Sequence, residues 1–286
     1  MIEIPEIEAT GRVAEIYDDI RKTLDMSMVN TVWRNLALEE EVLEWVWYSL
    51  KPIYQNGSVR HYASKLRSQI ILDDVCPVPL SAFRILGISD RDKDTLNNLL
   101  EDLAYSNAQN IIAFKSLLHE PTGAHEIEEF SRERDQRRKY DLPQPINFED
   151  LSSDEKELFG EIQSIGGTVS VGFPPMWLRG LARYPSILPV AWAILTQIES
   201  NGQLEIMKKN TREVSNHYSS ILSTHIERTP KPDLASYAIV RLSRLCDGIP
   251  RAMVVCLIFK KLSRAHRSPF KYTHHLVVWL FWRGAG

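Results

Sequence analysis

Cysteine is scarce in this chain of 286 residues: Cys76, Cys246 and Cys256 cannot all pair, and no two stand in a CxxC spacing. That excludes a disulfide-stapled secreted scaffold and a zinc ribbon, and predicts a reduced, cytoplasmic protein. Long apolar runs are missing as well. Leu276–Trp282 is far too short to span a bilayer, and the acidic opening MIEIPEIEATGRVAEIYDD lacks the features of a signal peptide. Charge of one sign is not in excess: 34 basic and 37 acidic side chains give a net charge of -3. Neither nucleic acid nor a membrane is therefore an expected partner. With 13 Gly and 15 Pro, and 44% of residues hydrophobic, the chain is neither collagen-like nor disordered.

Catalytic signatures are equally sparse. There is no Gly-rich phosphate loop, no GxSxG elbow and no dinucleotide fingerprint, so no cofactor is expected. Asp90, Asp92, Asp94 and Glu101 follow the acidic spacing of a calcium loop, but Thr95 stands where its turn needs glycine. His119-Glu120 and His125-Glu126 place their histidines six apart instead of four, around a helix-breaking Pro121-Thr122-Gly123. Asp18-Asp19 and Asp73-Asp74 lack the third acid of a diphosphate–metal motif. No metal is expected.

Helical periodicity is what the sequence does contain. Val42, Leu43, Val46, Trp47 and Leu50 share one helix face, and Ser89 before Asp90, Asp92 and Asp94 is a helix start. Only Thr168–Gly172 alternates like a strand, and it is short. The expected fold is all-α.

An internal repeat is the strongest signal. Shifted by 145 positions, Arg34–Gly57 falls on Arg179–Gly202 with nine identities in 24 positions. They include Arg34/Arg179, Trp47/Trp192 and Asn56-Gly57/Asn201-Gly202. Unrelated windows would share about one or two. Phe114-Lys115 returns at Phe259-Lys260, and EIYDDI at Glu15 pairs with ELFGEI at Glu157. The apolar stripe returns as Ile187, Leu188, Ala191, Trp192 and Leu195. The expected organisation is a helical repeat at 1–120, a charged connector at 121–151, a second repeat at 152–267 and an atypical tail at 268–286. Two such units are expected to face each other about a pseudo-two-fold axis, with a pocket between them. A homodimer of the whole chain stays open.

Aromatic and cationic residues in the duplicated segments are the site candidates. Trp47 and Trp192 read as core, whereas Trp33 and Trp177 suit a pocket wall. Arg34 and Arg179 read either as ion-pairing residues or as clamps for a substrate carboxylate.

Four segments resemble the group I DL-2-haloacid dehalogenases, the DehI family: IYDDIRKTLDMSMVNTVWRNLA from Ile16, PVPLSAFRILGIS from Pro77, AYSNAQN from Ala104, and VGFPPMWLRGLARYPSILPVAW from Val171. The resemblance implies an all-α pseudo-dimer that hydrolyses small 2-halocarboxylic acids without metal or cofactor. In such a family an aspartate and an asparagine activate water, which displaces halide directly with inversion. Asn107-Ala108-Gln109-Asn110 matches the asparagine motif, with Asn110 at the water-holding position and Asn107 beside the substrate. Counting back from Tyr184-Pro185 places Trp177 where the family keeps its aspartate. Indole accepts no proton, and no acid occurs from Gln163 through Leu195, so a base would come from Asp73, Asp74, Asp102 or elsewhere. The residues leave two other readings open: an isomerase or cyclase, and a binding protein, each using an aromatic pocket for an apolar small molecule.

Overall fold

A computed structural model describes residues 3–72, 75, 77–121, 126, 127, 129, 130, 140–167, 174–226 and 235–263. The short alternating segment at 168–172, the Asp73-Asp74 pair, Cys76, His125, most of the charged connector and the tail from 268 lie outside them.

Every regular element among the described residues is helical. The order is α1 (Gly11–Leu24), α2 (Thr31–Leu36), α3 (Glu40–Gln55), α4 (Ser58–Ser68), α5 (Leu80–Ile85) and α6 (Asp90–Leu118). After the connector come α7 (Ser153–Ser164), α8 (Met176–Leu181), α9 (Leu188–Ser200), α10 (Gln203–Ser223) and α11 (Ala235–Leu262). Local chemistry sets the starts. The Ser89 hydroxyl accepts from the Asp92 amide at 3.1 Å to open α6, and Ser152 with Glu155 forms a reciprocal capping box on α7.

Matching positions of the aligned windows make matching turns. Asn56 and Asn201 each end a helix, and each accepts from an amide two residues on, Ser58 at 2.9 Å and Gln203 at 3.1 Å. Gly57 and Gly202 follow with φ of 86° and 76°, which side-chain-bearing residues rarely adopt. Aromatic partners recur too: Trp33 packs on Phe114 at 4.9 Å, and Trp177 on Phe259 at 6.4 Å.

The two long helices, α6 and α11, form the most extensive packing pair. Helices α3 and α4 pack on α6, with α1 on α3; α10 packs on both long helices and more extensively on α6, with α9 against α10 and α7 against α9. From Asp102 to Phe114 every residue of α6 is buried, so this helix is interior on all sides. It nevertheless carries Ser106, Asn107, Gln109 and Asn110 there. On α8, Gly180 lies so close to Leu99 of α6 that a Cβ would collide with that side chain.

One element departs from its expected burial. Trp192 is 40% exposed, although Ile187, Leu188, Ala191 and Leu195 of the same stripe are buried. Its counterpart α3 is enclosed by α1, α2, α4 and α6, whereas α9 packs chiefly on α7 and α10 and buries a narrower stripe. Among the described residues no helix is long and apolar enough to cross a membrane.

Candidate functional site

A cavity of about 870 Å³ opens between the start of α2, the middle of α6, the Gly166-Gly167 turn, the start of α8, and one face each of α10 and α11. Asn30 organises its α2–α6 corner. Its Oδ1 accepts from the Val32 amide at 3.3 Å to cap α2, while its Nδ2 donates to Ser106 Oγ at 2.9 Å and Asn107 Oδ1 at 3.0 Å. With its oxygen engaged, Asn107 presents its NH2 group as the donor on the cavity wall.

Trp177 forms the opposite wall and is 1% exposed, with no acceptor for its indole N–H. The guanidinium of Arg251 lies 5.7 Å from its ring centre. Arg251 is 5% exposed and donates to the Ile162 carbonyl at 2.8 Å, and its Nε has no acceptor. Burial pulls this group down to about 10, with Glu199 acting against that at longer range. Gly166, at φ 82°, leaves the space this side chain occupies; a Cβ there would meet Leu204 and, at 3.2 Å, Arg251 Nε.

Of the six residues singled out by sequence, Asn107 and Trp177 line the cavity. Asn110 and Trp33 form a fully buried cluster behind it. Asn110 Oδ1 accepts from Trp33 Nε1 and from the Tyr54 hydroxyl, both at 3.1 Å, and its Nδ2 has no acceptor. Trp33 is edge-on to Trp47 at 5.6 Å and is not among the residues that line the cavity.

Arg34 and Arg179 are engaged elsewhere. Arg34 donates to Glu6 at 3.0 Å and to the Val29 carbonyl at 2.9 Å, and lies 3.8 Å from Glu3. Arg179 donates to the same Glu3 oxygen at 2.8 Å and to the Ile146 carbonyl at 2.9 Å. Both guanidiniums are buried against the N-terminal segment, and neither lines the cavity.

Among the acids, Asp102 is buried and accepts from the Ser27 amide at 3.2 Å, outside the cavity lining. Asp247, matching Asp102 at the shift of 145, is exposed and is the single carboxylate among the described lining residues. Neither it nor the cations of α11 stand in a motif that marks a site in the sequence. The shift itself carries the missing signal: Arg241, Arg244 and Arg251 stand where the first copy has Leu96, Leu99 and Ser106. Among the described residues no three His, Cys, Asp or Glu side chains gather as a metal site would require.

With this geometry in view, comparison with known proteins is informative. No family model matches the chain. A configuration-inverting 2-haloacid dehalogenase of Pseudomonas sp. (strain 113) is 23% identical over 226 residues, 76% of this chain and 73% of that protein. The chain is thus similar to a 2-haloacid dehalogenase over most of its length. Solved structures agree on its fold: a D-2-haloacid dehalogenase mutant in complex with D-2-CPA superimposes with a TM-score of 0.75, covering 91% of this chain and 94% of the other at 15% identity. The complex of a D-2-haloacid dehalogenase with L-LA gives 0.70 over 91% and 95%, also at 15% identity. The all-α architecture is thus that of the DehI-like dehalogenases.

Proposed function

We propose that this DehI-like chain is a cofactor-independent hydrolase, made of two copies of one helical unit, that takes a small 2-halocarboxylic acid into the cavity between α6, α8 and α11. Arg251 carries the reading. It is a buried guanidinium without a carboxylate in ion-pair contact, facing a cavity whose opposite corner offers the Asn107 amide. A substrate carboxylate supplies the charge it lacks.

In the proposed reaction a water oxygen attacks the α-carbon on the side opposite the halogen. The new C–O bond forms as the C–X bond breaks, halide leaves with the bonding electrons, and configuration inverts. The water proton must pass to a base, because neutral water is too weak a nucleophile. Trp177 cannot serve, and Asp247 is the carboxylate on the wall. Asn107 donates towards water or substrate, while Asn110 stiffens that stretch of α6 through Trp33 and Tyr54. Arg34 and Arg179 anchor the N-terminal segment over the same helices in this reading.

Halide release from D- and L-2-chloropropionate tests the proposal. Wild type should turn over at least one enantiomer, with Asp247→Asn slowing it by about 10²-fold or more and Asn110→Ala by about tenfold, both variants retaining native circular dichroism. Absence of halide release from both enantiomers by folded wild type refutes hydrolytic dehalogenation of these acids. Trp177 favours a second reading, a binding protein or isomerase that keeps the pocket without the water chemistry. Ligand binding with no consumption of substrate would support it.

A further inference from the structure

The cavity face of α11 is more cationic than a single small carboxylate requires. Arg241, Arg244, Gly248 and Arg251 recur at i, i+3, i+7 and i+10, one stripe of the helix, and all four line the cavity. A Cβ on Gly248 would meet nothing within 4 Å, so the middle of the stripe is open floor between charged ends.

The cations of the wall differ in how far they are satisfied. Arg241 is paired with Glu39, and Lys208 and Arg212 share Glu205, Arg212 at 3.0 Å. Arg251 has a backbone carbonyl and an indole face, with Nε unmet. Arg244 makes no hydrogen bond or ion pair with any described residue. Two guanidiniums on the stripe are therefore without a carboxylate partner, and they stand seven residues apart. That is about 10 Å along the helix axis.

We propose that the substrate of this site is an organic dianion: one carboxylate docks at Arg251 above Trp177, and a second anionic group at the far end of the molecule docks at Arg244. This rests on the reading of the cavity as the substrate site, and it narrows the substrate to acids longer than those with one charged end. A monoanion seated at Arg251 leaves Arg244 unused. A dianion spanning Gly248 satisfies both, and the volume of about 870 Å³ accommodates a chain between the charges. Arg244 is then a specificity determinant and Arg251 the common anchor.

Titration calorimetry on the full chain decides the matter with unreactive probes: succinate, adipate and suberate against butyrate, hexanoate and octanoate, with 3-phosphonopropionate as the phosphorus-bearing arm. A diacid of the best length should bind at least tenfold more tightly than the monoacid of equal chain length. Arg244→Gln should reduce that preference to less than threefold and leave monoacid affinity unchanged. Arg251→Lys should weaken both classes by at least fivefold. Tighter binding of the phosphonate than of the diacids assigns a phosphoryl group to the Arg244 end; weaker binding assigns a carboxylate. Equal affinity for mono- and diacids in wild type, or a preference that survives Arg244→Gln, overturns the proposal. Arg244 is exposed, so its variant remains informative even if Arg251→Lys fails to fold. No probe carries a halogen, so this result stands apart from the halide-release test.

Discussion

Replacing Trp177 by aspartate puts a carboxylate at the position where the resemblance to the DehI family implies a base, and the surroundings set its protonation. Two influences oppose each other. Trp177 is fully enclosed, which raises the pKa of an acid at that place. The Arg251 guanidinium lies 5.7 Å from the ring centre, and at that separation an effective dielectric near 20 gives about 3 kcal/mol of attraction, or roughly two pKa units downwards. The new carboxylate should thus be ionised at neutral pH and able to take a proton from water. A general base contributes about 10²–10⁴-fold, so in an Asp247→Asn background, which lacks the wall carboxylate, adding Trp177→Asp should increase halide release from 2-chloropropionate by at least that lower factor. Its rate should rise with pH through the pKa of the new acid and then level, because only the deprotonated form is active. Removing the indole costs about 3–5 kcal/mol of packing, partly offset by the new ion pair, so the assay belongs at low temperature with circular dichroism in parallel. A folded double variant that binds 2-chloropropionate and releases halide no faster than Asp247→Asn alone refutes the assignment of position 177 to the base.

Two other perturbations test the scaffold. Glu3→Gln leaves two buried guanidiniums short of a counter-charge, a loss of about 3–5 kcal/mol; at roughly 2–3 °C per kcal/mol the melting temperature should fall by about 6–15 °C, and a drop below 2 °C would show that the N-terminal segment is not held as described. Burial pushes the Glu101 carboxyl up, but Arg67 at 2.7 Å and Lys260 together hold it below its usual range. A depressed acid stabilises above its unfolded pKa of about 4.3 and loses that contribution as pH falls through the folded value. Glu101→Gln should therefore lower the urea midpoint at pH 7 and flatten its decline towards pH 3; an unchanged acid slope contradicts the assignment.

The helices were legible because their determinants are local. The Ser89 cap, the stripe of α3 and the Asn-Gly turns at 56–57 and 201–202 operate within a few residues, and the structure shows each at work. Trp192 was misjudged because periodicity reports a face, whereas exposure depends on how many helices arrive to cover it. The engagement of Arg34 and Arg179 rests on Glu3, 31 and 176 residues away along the chain, a contact no local pattern announces. The α11 stripe was hidden for a different reason. Its arginines fall opposite Leu96, Leu99 and Ser106 at the shift of 145, and a repeat marks the positions that agree, so these drop out of the pattern.

The shared carboxylate of Glu3 carries one further implication. Arg34 and Arg179 are the same position in the two aligned windows, yet they meet one oxygen supplied by a single chain end. One carboxylate serves both guanidiniums, so the two sides of the meeting point are held unequally. The Arg34 side receives the rest of the strap, through the Ile4 amide on the Arg34 carbonyl and Glu6 on its guanidinium. The Arg179 side is fastened by Glu3 and the Ile146 carbonyl. The less strapped side is the one that presents Trp177, Arg244 and Arg251 to the cavity, so rearrangement of that wall breaks fewer of these contacts than rearrangement on the Arg34 side.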